Sequence, residues 1–103
     1  MKIQFAERKD AGDILDFIKQ LAEYEHMADE VVATTELLEH WIFDEKKANV
    51  IFIKEDEKEV GFALYFNNFS TFLGRPGIYL EDLFIEEKIR ARIIFSLTYI
   101  SIL

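Results

Sequence analysis

The sequence predicts an α+β domain with a mainly antiparallel sheet, in the order strand, helix, helix, strand, strand, strand. Three observations carry that reading. Apolar residues recur at helical spacing in the first half, from Ile14 to Tyr24 and again around Leu37 and Ile42. Runs rich in β-branched and aromatic residues fill the second half: ANVIFIK, EVGFALYF and IYLEDLFI. Only the charged turn Glu55-Asp56-Glu57-Lys58 separates the first two of these runs, which predicts a hairpin.

Taken in order, Lys2 to Glu7 alternates, with Ile3 and Phe5 on one face, and forms the first strand. Asp10 or Asp13 caps a helix running from Ile14 to about His26, with Ile14, Leu15, Phe17, Ile18, Leu21 and Ala22 on its apolar face. The stretch from Glu25 to Ala33 has no clean period and reads as a loop. Thr34 caps a second helix whose apolar face is Leu37, Leu38, Trp41 and Ile42, with Trp41 as core covering the sheet. Strands follow at Ala48–Lys54 and Glu59–Phe66, then a loop across 67–77. The last run, Ile78 to Ile85, is entered by Arg75-Pro76-Gly77 and reads as a buried strand.

Composition narrows the function classes. With 103 residues, half of them apolar and 15% aromatic, the chain is one domain with a core of its own rather than a disordered segment. It has no cysteine, which excludes disulfides and thiolate metal sites. The N-terminus lacks the apolar stretch of a signal peptide and no run reaches membrane-spanning length, so a cytoplasmic protein without membrane partners is expected. The net charge of −8, from 12 Lys and Arg against 20 Asp and Glu, argues against nucleic acid as a partner. It suits a cationic small molecule drawn into an acidic cleft, with surface solubility as the plain alternative. His26 and His40 lack metal-ligand spacing, so no metal site is expected.

The chemistry concentrates at Glu81 and Asp82. Side chains alternate along a strand, so these carboxylates are expected on opposite faces, and one must meet a packed layer or a cleft. A buried carboxylate without a partner is costly; it is hydrogen-bonded, protonated through a raised pKa, or used for chemistry. Glu25 sits among Asp16, Glu23, Asp29 and Glu30, and on residues alone is a solvated helix end.

The element order, with LAEYE near the end of the first helix, then VGFALYF and YLEDLFI, resembles the N-terminal half of the GNAT N-acetyltransferases, and within them the diamine (spermidine/spermine-type) branch. The resemblance covers residues 1–90. It implies acetyl transfer from acetyl-CoA to a primary amine. It further implies that the backbone of Leu83, Phe84 and Ile85 holds the pantetheine arm and that Glu81 acts as base, usually through water. Glu25 and the neighbouring acid Asp82 would then hold the cationic acceptor. Such a base makes chemical sense, because an ammonium must lose its proton before it can attack a thioester.

The chain departs from the family after this strand. The family carries a glycine-rich loop at a helix start, whose N–H groups hold the CoA pyrophosphate. Here Glu87-Lys88-Ile89-Arg90 leads into Ala91-Arg92-Ile93-Ile94; Arg90 matches the loop's first basic residue, and no glycine occurs after Gly77. The change of composition at Ala91 divides the chain into a truncated GNAT-like domain, 1–90, and an atypical apolar tail, 91–103, as from a truncated or frame-shifted gene. Every acidic residue precedes the tail and Arg92 is its one charge. Phe95 to Tyr99 alternates as a strand, although Ile93, Leu97 and Ile100 also suit a helix face. The expectation is a chain inactive or nearly so by itself. The alternative is a non-catalytic remnant that forms a homodimer through its tail.

Overall fold

The computed structural model describes residues 1–90. The predicted tail, 91–103, lies outside the described residues. Four strands form one antiparallel sheet in the order β1 (Lys2–Phe5), β2 (Asn49–Glu55), β3 (Lys58–Ser70), β4 (Arg75–Ile85). Helix α1 (Ala11–Tyr24) and the short α2 (Thr35–Leu38) pack against one face. Among the described residues no helix is long and apolar enough to cross a membrane.

The unbroken apolar run Val50-Ile51-Phe52-Ile53 in β2 has a direct structural meaning: alternation sends it to both faces of the sheet. Val50 and Phe52 join Phe62 and Phe84 beneath Ile14 and Phe17 of α1 and Ile42. Phe17 is the hub of this core. Its ring lies 5.6 Å from that of Phe62 in a stacked arrangement, 6.1 Å from Phe52 and 6.3 Å from Phe84. On the opposite face Ile53 and Ile85 pack with Val60, and residues 87–90 begin a helical turn that brings Ile89 onto them. That face continues through the register Ile3–Ile53 and Phe5–Ile51 to the exposed side chains of Ile3 and Phe5.

Several elements differ from the expectation. The hairpin β3–β4 is longer than predicted: residues 67–70 and 75–77, expected in a loop, pair as Asn67–Ile78, Asn68–Gly77, Phe69–Pro76 and Ser70–Arg75. The Asn67 side-chain amide donates to the Gly77 carbonyl at 3.1 Å, so a residue typical of turns ties the two strands together. Pro76 is tolerated because β4 is an edge strand among the described residues. β4 is also not a buried strand; only Phe84 and Ile85 are buried, and Ile78 to Glu81 and Leu83 are exposed. The second helix starts as expected, the Thr34 hydroxyl accepting the Leu37 N–H at 3.2 Å. It then widens into a π-helix, Glu39–Asp44, in which Ile42 is buried. Trp41 is 48% exposed and meets the His40 ring edge-on, so it is not core. The β2–β3 turn places Asp56 and Glu57 at φ of 53° and 64°, the left-handed geometry of a tight two-residue hairpin loop.

Candidate functional site

Two hollows open beside the end of β4, and Glu25 lines both. Phe84 anchors this region, because its ring is held under Phe17 and fixes β4 against the second half of α1. Leu21, Tyr24 and Glu25 then follow one another along the helix toward the strand. The first hollow, of about 200 Å³, is lined by Leu21, Tyr24, Glu25, Leu83, Phe84, Ile85 and Arg90. The second, of about 190 Å³, is lined by Ile18, Leu21, Ala22, Glu25, Met27, Glu30, Val31 and Asp82.

A β-bulge sets the carboxylates. Leu64 pairs with Asp82 but Tyr65 pairs with Leu80, which leaves Glu81 as the extra residue of β4. Simple alternation therefore fails here: the bulge moves Asp82 onto the helix-covered side, where Leu64 and Phe84 also lie, while Leu80 and Leu83 take the other. Asp82 is half-buried and Glu81 is exposed. Burial pushes the Asp82 carboxyl up, and the charges of Glu81 and Glu25 push it further the same way. The expectation that one of the pair would meet a cleft is met by Asp82, and the other two acids singled out from the sequence, Glu81 and Glu25, both act on it.

Arg90 closes the first hollow. Its Nε and Nη2 donate to the Ile85 carbonyl at 3.1 and 2.9 Å, and its guanidinium lies 5.0 Å from the centre of the Tyr24 ring. The cation therefore joins the end of β4 to the end of α1, a role not apparent from its place in the sequence.

Sequence reasoning missed a second acidic group at the other end of α1. Asp10, Asp13 and Glu59 bring carboxylate oxygens within 4.8 Å of one another. Burial and the hydrogen bond and charge of Asp13, with the charge of Asp10, raise Glu59 to about 7, and Lys54 opposes them. The Asp10–Asp13 spacing reads as a cap in the sequence, and nothing local announces Glu59 as its neighbour.

The sheet order and the helices across one face are found in solved acetyltransferases. A possible acetyltransferase from Clostridium difficile 630 matches with a TM-score of 0.70 at 16% identity, over 98% of this chain and 67% of that one. An aminoglycoside acetyltransferase from an uncultured soil metagenomic sample, in complex with sisomicin, matches at 0.69 and 17%, over 85% and 57%. Sequence carries the relation further: the thialysine N-epsilon-acetyltransferase of Bos taurus is 35% identical over 99 residues, 87% of this chain. Sequence and fold together support a GNAT N-acetyltransferase. The corresponding Mus musculus protein is 31% identical over 100 residues. The chain spans 58% of the length of these relatives. No family model matches it.

Proposed function

We propose that this GNAT chain carries the acceptor site and the pantetheine-binding edge of an amine N-acetyltransferase, with a diamine-type acceptor. The observation that supports the reading is convergence. Glu25 and Asp82 share one hollow, and Leu83, Phe84, Ile85 and Arg90 line the next, although they come from a helix end, a strand and the turn after it. An ammonium is the group that the Asp82 carboxyl, repelled by Glu81 and Glu25, favours.

The residues fit one end of acetyl-CoA better than the other. The outer edge of β4 has no strand partner among the described residues, so its backbone groups suit an extended amide-bearing arm. The diphosphate end is served less well. Arg90 already holds the Ile85 carbonyl, and no glycine follows Gly77 in the sequence. When bound, acetyl-CoA supplies the activated acetyl thioester. The chain's own residues hold the amine and remove its proton: Asp82 and Glu25 attract the ammonium, and Glu81 accepts the proton, directly or through one water. Each charge-assisted hydrogen bond missing from the diphosphate forfeits about 1.5–3 kcal/mol, so the proposal includes weak cofactor binding and slow or undetectable turnover.

The test is an NMR titration with acetyl-CoA. Saturable shifts of the Leu83, Phe84 and Ile85 amides are expected. Unmoved amides at millimolar cofactor would refute the pantetheine assignment. If turnover of spermidine is detectable, Glu81→Gln should abolish it, and an unaffected rate would remove Glu81 as base.

A second reading, self-association without turnover, draws on the hairpin. Phe72 is 99% exposed at its turn, and Phe69, Leu73, Ile78 and Leu80 are exposed around it on an edge without a strand partner among the described residues. Light scattering that returns the mass of a single chain across the micromolar range would rule out the dimer.

A further inference from the structure

Another hollow opens at the opposite edge of the sheet from β4, between the end of β1, the π-helix and the start of β2, and the amine-acetylation reading does not use it. We propose that it binds a small carboxylate with a compact apolar body, the carboxyl group held by Lys46 and Asn49. The site is independent of the acetyl-transfer reading, because no residue lines both this hollow and either of the two beside β4.

Its walls are fixed by backbone pairing and by an ion pair. The Ala6 N–H donates to the Val50 carbonyl at 2.9 Å, which extends the β1–β2 pairing past Phe5. Arg8 pairs with Asp44 and, at 3.6 Å, with Glu39, tying the π-helix to the turn after β1. Ala6, Ile42, Phe43 and Val50 give the hollow apolar surface, and Lys46 and Asn49 are its polar side chains. No carboxylate lines it. Arg8 engages Glu39 and Asp44, whereas Lys46 has no ion pair among the described residues. The half-buried Asn49 amide likewise makes no side-chain hydrogen bond among them. An unspent cation and an unspent amide donor beside apolar walls match a carboxylate on an apolar body. In a chain of net charge −8 this is a local reversal of sign. The volume of about 200 Å³ corresponds to on the order of six waters, the scale of a five-carbon acid.

Lys46 also stands where glycine is favoured. The Lys47 N–H donates to the Trp41 carbonyl at 2.8 Å and closes the π-helix, which leaves Lys46 at a φ of 54°. The turn gains nothing from a Cβ at that angle; the hollow gains its cation.

Because Lys46 is exposed, its contribution is that of a solvent-screened ion pair, a factor of about two to five in affinity. The experiment titrates 3-methylbutanoate and its neutral isostere 3-methylbutanamide into the whole chain at low salt, following the Ala6, Phe43 and Asn49 amides by NMR. Wild type should prefer the carboxylate two- to fivefold. Lys46→Gln should lose the preference, and Lys47→Gln should keep it, since Lys47 carries the same charge one residue away but does not line the hollow. Lys46→Gly relieves the backbone, so it should unfold at a urea midpoint no lower than wild type and still lose the preference, which separates loss of the site from loss of the fold. No saturable shifts with the carboxylate at tens of millimolar, equal binding of the amide, a preference that survives Lys46→Gln, or an equal loss in Lys47→Gln would each overturn the assignment.

Discussion

Gly61 lies where β3 comes closest to β4, and replacing it with alanine tests how tightly the site strand is held. A Cβ at this position would stand 2.5 Å from the Phe84 carbonyl oxygen, 3.1 Å from the Ile85 Cα and 3.2 Å from Ile85 Cγ1. The first two are backbone atoms, so no side-chain rotation relieves the contact, and β4 must move away from β3. Overpacking of this kind costs about 1–3 kcal/mol. Alanine recovers part of that by restricting the unfolded chain, about 0.4–1 kcal/mol. The clash wins, and Gly61→Ala should destabilise by about 1–2 kcal/mol. That lowers Tm by about 5–15 °C for a domain of this size. Urea unfolding followed by circular dichroism gives the energy, and the Phe84 and Ile85 amide shifts show whether β4 has moved. Gly12→Ala is the matched control, since nothing lies within 4 Å of its added Cβ and it sits in α1. It should stabilise by about 0.5–1 kcal/mol. If Gly61→Ala proved as stable as Gly12→Ala, the close approach of the strands would not be a constraint and the reasoning would be wrong.

Three further predictions concern charge and capping. Glu59 has a folded pKa of about 7 against an ordinary 4.5, so the folded state binds the extra proton between those values and stability should fall as pH rises from about 4.5 to 7. Glu59→Gln should flatten that slope and stabilise at pH 8, by about 1 kcal/mol or less once solvent screening is allowed for, with little change at pH 4; urea titrations across pH decide it. Arg90→Met keeps much of the side-chain bulk but loses both bonds to the Ile85 carbonyl, and should cost about 1–2 kcal/mol by urea unfolding while speeding amide exchange at the end of β4. Thr34→Ala removes the acceptor for the Leu37 N–H and should cost about 1 kcal/mol in the same assay, whereas Thr34→Ser should cost little.

The order of elements was legible because periodicity changes sharply along the chain, from helical spacing in Ile14–Ala22 to continuous β-branched runs after Ala48. The neighbourhood of Glu25 and Asp82 was legible only through the family resemblance, since residues alone made Glu25 a solvated helix end. What stayed hidden was geometry without a local composition signal. The bulge at Glu81 is one unpaired residue inside an ordinary strand run, yet it reverses which side chains face α1. Asn67, Asn68, Ser70 and Gly77 carry turn propensities that the paired hairpin overrides. Trp41 looked like core by size, but Ile42 supplies the buried contact from the π-helix. Arg90 looked like an anion ligand because its carbonyl partner, Ile85, is invisible to any motif.

The position of Phe17 has a consequence for experiments on this site. One ring touches Phe52 and Phe62 in the sheet and also Phe84 on the strand beside both hollows. Loss of packing and displacement of the site are therefore the same event at this residue. A Phe17 variant that fails to bind a ligand says nothing about chemistry until its fraction folded is known, and a screen for lost binding will collect core substitutions beside true contact residues. Conversely, a ligand seated against β4 should also slow amide exchange in α1 around Phe17, because that ring packs on Phe84.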